Sequence, residues 1–304
     1  MQHIPWLAAP ICDFTQQIKA RSLGHAYLVG VHKGYGGEEL TRALAKAALC
    51  QTPIEQGACG FCKACQLLDG NTHPDLYQIT ADGHQIKVDQ IRELCQKLTM
   101  TSQQGGRRVA VIYHSEQFNQ ASANALLKTL EEPGKETLLL LQSDTPTRLM
   151  PTIKSRCQHV HFELPTMEEI KVWLLTGSPS VSDTTWSLPV MGGPLELALA
   201  LESERYAQLL QFRKDWAQSL SSGHLCASLI HVNEKQSSDA LKVLYLVLRQ
   251  KLIRQTDLDA LLRVKITELG MKVMDTYHKL TAMPNVNYLA ILNGFVLEYN
   301  NLMR

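Results

Sequence analysis

Over its first 163 residues the chain alternates short apolar runs with stretches in which apolar residues recur every three or four positions. The runs at 26–29, 76–79, 109–113, 138–141 and 159–162 read as strands. Between them, 38–49, 88–100 and 119–131 carry the spacing of amphipathic helices. Such alternation predicts a parallel sheet covered by helices, with its strand-to-helix turns opening on the edge where α/β proteins place ligands. After Phe162 the pattern changes to short helical stretches separated by Thr, Ser, Gly and Pro, notably Thr176-Gly177-Ser178-Pro179-Ser180 and Gly192-Gly193-Pro194. From about residue 208 the segments 241–253, 258–279 and 286–302 read as helices with no strand alternation. The expected organisation is an α/β domain over 1–163, a small helical domain over 164–207 and an all-α domain over 208–304 used for packing or assembly. No internal repeat or low-complexity tract interrupts it.

A length of 304 residues suits two or three domains. Lys and Arg number 30 against 29 Asp and Glu, so no overall field draws the protein onto nucleic acid or an anionic membrane. Contact with DNA must then be local or made through partners. No apolar run reaches the roughly 18 residues needed to span a bilayer, and the start Met1-Gln2-His3-Ile4-Pro5-Trp6 lacks a basic segment followed by an apolar one. A soluble, cytoplasmic protein without a membrane partner is expected. In a reducing compartment the eight cysteines are better explained by metal or burial than by disulfides.

From Gly30 to Leu40 the chain reads Gly-Val-His-Lys-Gly-Tyr-Gly-Gly-Glu-Glu-Leu. That is the layout of a phosphate-binding loop, in which backbone N–H groups wrap the phosphates, a Lys neutralises them and the next Ser or Thr ligates Mg²⁺. Gly37 and Glu38 stand where the Lys and the Ser/Thr belong. A carboxylate ~4 Å from a phosphate charge costs on the order of 4 kcal/mol at an effective dielectric of about 20. The strand 109–113 should then end in acids that hold Mg²⁺ and position water, but Tyr113 and His114 are there instead, with Glu116 a strand step beyond. A single His at a strand end reads as an ordinary polar residue. The pattern describes an ATPase fold that has given up ATP.

Cys50, Cys59, Cys62 and Cys65 form C-x8-C-x2-C-x2-C, with Gly57 and Gly60 permitting tight turns. Paired C-x2-C spacing lets thiolates converge on one Zn²⁺, and a closed set of four leaves no open position, so the zinc would be structural. An iron–sulfur cluster uses the same ligand type. The scattered Cys12, Cys95, Cys157 and Cys226 read as buried residues.

Two further segments are informative. In Ala123-Asn124-Ala125-Leu126-Leu127-Lys128-Thr129-Leu130-Glu131-Glu132-Pro133, the leucines at 126, 127 and 130 make an apolar stripe, the plain mark of a packing helix. In Leu149-Met150-Pro151-Thr152-Ile153-Lys154-Ser155-Arg156-Cys157, Arg156 lies just before a strand and by itself is a solvated charge. Together with the cysteine insert, the Pro5-Trp6 start and the altered phosphate loop, these segments resemble the AAA+ clamp-loader family of bacterial DNA polymerase III. The resemblance is strongest in the first half, weaker over the small helical domain, and rests on length and helical character in the last third.

The resemblance implies an AAA+ RecA-like domain with a zinc module at 50–65, a helical lid at 164–207 and an oligomerisation collar at 208–304. It implies a non-catalytic subunit, a degenerate ATPase within the polymerase holoenzyme, that helps load a sliding clamp onto primed DNA. Arg156, in a Ser-Arg-Cys motif, would be an arginine finger for the ATP site of a neighbouring subunit, a kind of group worth ~10³–10⁵ in rate elsewhere. Ser143, at the end of the 138–141 strand, falls at a polar phosphate-sensing position, and Leu195 near one where the family's ATPases carry an Arg. Implied partners are the motor subunits (gamma/tau) and a delta subunit, with the sliding clamp and primer-template DNA met through the assembly and the single-stranded-DNA-binding machinery indirectly.

Two other readings compete. One is an active motor subunit with an unusual nucleotide site, opposed by Gly37, Glu38, Tyr113 and His114 together. The other is a zinc-dependent DNA-binding module, for which the span has Lys63 and Phe61 but also Glu55, so that Arg107-Arg108 is the better phosphate contact.

Overall fold

The computed structural model describes residues 3–177, 184–254, 259–280 and 286–303. The chain divides into two compact units, 1–177 and 178–304.

The first unit runs α1 (Ala8–Lys19), β1 (Ala26–Gly30), α2 (Gly37–Leu49), α3 (Lys63–Asp69), β2 (Leu76–Ile79), α4 (Val88–Thr99), β3 (Arg108–Ile112), α5 (Gln120–Glu131), β4 (Thr137–Ser143), α6 (Pro151–Lys154), β5 (Gln158–His159) and α7 (Met167–Gly177). The strands form one parallel sheet in the order β2-β3-β4-β1-β5. β3 and β4 are buried at every position, which is why they read as unbroken apolar runs rather than alternating ones. Successive residues nevertheless serve opposite faces. Tyr27, Val29, Val111 and Leu140 pack with Phe14 of α1 and Leu40 and Leu44 of α2. Leu28, Ile112, Leu139 and Leu141 pack with Ile91, Leu94 and Leu98 of α4 and Leu126 and Leu130 of α5. Each buried Leu or Val of this kind contributes about 1.5–3 kcal/mol relative to exposure.

Four strands lie within one or two residues of the expected ranges. The fifth, expected at 159–162, is only Gln158–His159, because an edge strand has a single neighbour and β1 offers it pairing only at Tyr27 and Leu28. Val160 and Phe162 pack against the α1–α2 core instead. The sequence pattern gave no element over α1 or α3. α1 carries Pro10 in its first turn, where a missing N–H leaves no helical bond unmade.

The second unit contains α8 (Leu188–Met191), α9 (Pro194–Leu201), α10 (Arg205–Ser222), α11 (Ala227–Ile230), α12 (Glu234–Arg254), α13 (Ala260–Leu280) and α14 (Tyr288–Met303). α12 packs between α10 and α13, and α13 meets α14. Trp216 of α10 is wholly buried, with its indole N–H donating to the Ala240 carbonyl of α12 at 2.8 Å. The three helices expected here are present and longer or shifted by a few residues, while α10 runs unbroken through residues 207 and 208. Residues 178–180 of the expected Thr/Ser/Gly/Pro stretch, and residue 258 of the expected 258–279 helix, lie outside the described residues. Among the described residues no helix is long and apolar enough to cross a membrane.

Candidate functional site

Because every strand pair is parallel, the turns after β1, β3 and β4 share one edge of the sheet, and the residues entering the strands share the opposite edge. The Gly-rich loop, Tyr113-His114 and Asp144 lie on the first edge; Arg156, two residues before β5, lies on the second.

α2 begins at Gly37, where a side chain would be crowded. A Cβ there would stand 3.1 Å from the Val31 Cβ and 3.2 Å from Nε2 of Gln142. Gln142, fully buried in β4, is held at both ends: its Oε1 accepts from the His114 backbone N–H and its Nε2 donates to Asp144, each at 2.8 Å. The loop is braced from outside by Trp6, whose indole N–H donates to the Tyr35 carbonyl at 2.9 Å. Trp6 in turn packs edge-on against Trp173 of α7, with ring centroids 5.1 Å apart. Glu38 and Glu39 fill the first turn of α2, placing carboxylates at the positive end of its macrodipole.

His114, expected to be an isolated polar residue, is surrounded by acids. Its Nε2 lies 3.2 Å from Glu38, and its Nδ1 lies 3.7 Å from Glu116 and 3.6 Å from Asp144. Its backbone is left-handed, with φ +50°. Ser143 donates to Glu116 at 2.7 Å, so this hydroxyl is engaged within the chain. The donor atoms of His114, Glu116 and Asp144 are near enough to one another to share a metal ion. The grouping escaped the sequence reading because its members come from three separate segments, and no spacing rule links them. Tyr113, beside it, is buried, and burial raises its phenol above the ordinary value.

The four cysteines converge. Cys50 closes α2, Cys59 and Cys62 lie on a loop turned by Gly57 (φ +114°) and Gly60 (φ +83°), and Cys62 caps α3 by accepting the Cys65 N–H on its sulfur. Sulfur separations are 3.9 Å for Cys50–Cys62, 3.9 Å for Cys59–Cys65 and 3.7 Å for Cys50–Cys65, and all four sulfurs lie within 4.8 Å of one another. These distances are far above the ~2.05 Å of a disulfide, and the set could hold a metal ion. A second N–H···S contact, Cys59 N–H to Cys50 Sγ at 3.3 Å, orients the set. Burial pushes the Cys65 thiol up to about 12, whereas a hydrogen bond from the Thr52 side chain brings Cys59 down to about 6.

Arg156 follows α6 and is half-exposed. Its Nε donates to Glu131 at 2.9 Å, its Nη2 is 2.6 Å from the same oxygen, and its Nη1 donates to the Thr152 carbonyl at 2.9 Å. The neighbouring Cys157 faces the core, where burial raises its thiol to about 11. Leu195 sits in the first turn of α9. The expectation that Arg107-Arg108 meets phosphate is corrected for Arg108. It is only 6% exposed and donates to the Lys135 carbonyl and Thr137, while Arg107 pairs with Glu136 at 3.4 Å.

Comparison with known proteins gives a consistent ancestry. The family described as DNA polymerase III, delta subunit, matches residues 8–166. DNA polymerase III subunit delta′ of Pseudomonas aeruginosa is 45% identical over 157 residues, 51% of this chain and 48% of that protein. The matched stretch thus spans about half the length of that relative. Subunit delta′ of Escherichia coli is 32% identical over 262 residues, 84% of this chain and 77% of the relative. The tau subunit of Escherichia coli is 35% identical over 147 residues, 48% of this chain and 23% of the relative. Among solved structures, a DNA polymerase III gamma subunit-related protein of Thermotoga maritima superposes with a TM-score of 0.51 at 19% identity, covering 97% of this chain and all of that one, so the fold is shared. With the family matched across the whole sheet, and the Escherichia coli relative carrying the match on into the second unit, the chain belongs to the DNA polymerase III delta prime family.

Proposed function

We propose that the chain is a non-catalytic AAA+ subunit of the DNA polymerase III clamp loader, helping to place the sliding clamp on primed DNA. Its phosphate loop takes no ATP, and Arg156 serves as an arginine finger in the ATP site of the adjacent motor subunit. The observation that carries this reading is the turn into α2 at Gly37, where the phosphate-binding Lys is absent and Val31 and Gln142 crowd the place its Cβ would take. Charge points the same way, since Glu38, Glu116 and Asp144 gather around His114 where phosphate oxygens would need cations. Arg156, by contrast, is half-exposed at the far edge of the sheet, where it can be offered to another chain.

The cysteine set is read as a structural Zn²⁺ site. Four thiolates about 2.3 Å from a zinc ion stand about 3.8 Å apart, and the separations of 3.7–3.9 Å found here fit that arrangement. Cys50, Cys59, Cys62 and Cys65 would all be ligands, and the metal would supply folding free energy to a loop too short to build a core. We further assign a lid role to 164–207 and a collar role to 208–304, with gamma/tau and delta subunits as neighbours. The sliding clamp and primer-template DNA are reached through the assembly. A DNA-reading zinc module is less well supported, since Arg107 and Arg108 are both engaged within the chain.

Calorimetric titration of the folded chain with ATP and Mg²⁺ tests the central point. No binding is expected. Micromolar binding would bring the motor-subunit reading forward.

A further inference from the structure

A guanidinium has a side edge, Nε with one terminal nitrogen, and an end fork made by both terminal nitrogens. In Arg156 the side edge is given to one carboxylate oxygen of Glu131, with Nε donating at 2.9 Å and Nη2 at 2.6 Å. Nη1 donates to the Thr152 carbonyl at 2.9 Å. These close contacts use three of the five N–H donors of an arginine and leave one on each terminal nitrogen. Among the described residues Nη1 also donates to the Ser155 hydroxyl, at the longer distance of 3.4 Å. Both terminal nitrogens together can grip a phosphate bidentately.

Two features argue that the Glu131 contact is more than a chance surface pair. First, the two anchors belong to different elements, the last residue of α5 and the first turn of α6, so together they fix the guanidinium in direction as well as in place. A long arginine side chain otherwise loses much rotameric freedom when it docks. Second, Glu131 and Glu132 stand at the C-terminal end of α5, where the macrodipole disfavours carboxylates and favours cations. A residue that breaks a local rule without stabilising its own helix has its reason elsewhere.

We infer that Glu131 is a positioning residue for Arg156, holding the side edge of the guanidinium so that the end fork faces the terminal phosphate in the neighbouring subunit's ATP site. This rests on the arginine-finger reading above. The test uses the assembled clamp loader with clamp and primed DNA, and reads the hydrolysis phase that Arg156→Ala removes. Glu131→Ala is expected to slow that phase roughly 10- to 100-fold, the scale of a misplacement of about 1 Å, with KM for ATP unchanged. Glu131→Gln keeps an oxygen acceptor and should recover most of the rate. Glu131→Asp keeps the charge but not the reach, and should remain slow if Glu131→Ala fails to assemble. Glu132→Ala should behave as wild type. Wild-type or faster hydrolysis in Glu131→Ala and Glu131→Asp, or a loss that Gln does not recover, overturns the inference. If Arg156→Ala itself leaves hydrolysis intact, it is the finger reading that fails.

Discussion

The side-chain amide of Gln142 crowds the position that a side chain on Gly37 would take, with Nε2 3.2 Å from where a Cβ would lie. The crowding group is anchored to the His114 backbone and to Asp144. Restoring a single motif residue should therefore not restore the site. Gly37→Lys is expected to leave ATP binding undetectable by calorimetry. Gly37→Ala should cost about 1–3 kcal/mol of stability through overpacking, read from denaturant midpoints.

Removing the proposed finger should leave the subunit intact and its neighbour impaired. Arg156→Ala is expected to assemble normally, to change chain stability by less than about 1 kcal/mol as an exposed ion pair would, and to abolish one phase of clamp-stimulated ATP hydrolysis. Normal hydrolysis in every phase would be the contrary result.

Zinc should be bound once per chain and should be needed for a stable loop. Cys62→Ser, or chelation, is expected to lower zinc content and to reduce the melting temperature by at least about 5 °C. Because burial holds the Cys65 thiol at about 12, zinc uptake by metal-free protein at pH 7 must release protons, detectable as a buffer-dependent binding enthalpy. Unchanged zinc content in Cys62→Ser would rule out this ligand set.

In the second unit Arg205 grips both carboxylate oxygens of Asp239 with its side edge, Nε to Oδ2 at 2.9 Å and Nη2 to Oδ1 at 3.0 Å, joining α10 to α12. Asp239 is only 8% exposed. Arg205→Ala strands that carboxylate, and should cost about 2 kcal/mol, below the roughly 3–5 of a fully buried pair because Arg205 itself keeps solvent contact. Urea unfolding of this variant beside wild type measures it.

His73 should make the first unit acid-sensitive. Burial lowers its pKa below the ordinary 6.5, with Asp75 opposing, and its Nδ1 accepts the Asp75 N–H at 3.2 Å. The unfolded chain then binds the proton more readily than the folded one, so this contribution is present above pH 6.5 and is lost as pH falls below it. Its slope is at most about 1.4 kcal/mol per pH unit. His73→Gln should flatten that part of the stability profile between pH 7 and 5.5; an identical slope in the variant would exclude His73 as the source.

β1, β3 and β4 were legible because burial on both faces writes an unbroken apolar run, and α2, α4 and α5 because one buried face writes a three-to-four-residue period. β5 was misjudged because Val160 and Phe162 are apolar through packing against the α1–α2 core, while the ladder to β1 ends with the Val160 N–H donating to the Leu28 carbonyl. The convergence of Cys50, Cys59, Cys62 and Cys65 was legible because its ligands are near in sequence. The His114 surroundings and the crowding by Gln142 were not, since the parallel topology brings together residues up to 106 apart in number, from Glu38 to Asp144. The burial of Arg108 was hidden for the opposite reason, as its charge hides a strand position whose stem runs into the interior.

The phosphate loop and Arg156 lie at opposite edges of one parallel sheet, so a single copy cannot apply its own arginine to its own loop. Under the finger role proposed above, domains of this kind stand in file, each giving an arginine to the next and receiving one from the last. A member that keeps Arg156 but takes no ATP would then give without using what it receives. Its place would be at the end of the file, where it gives an otherwise repeating row a direction and a fixed count.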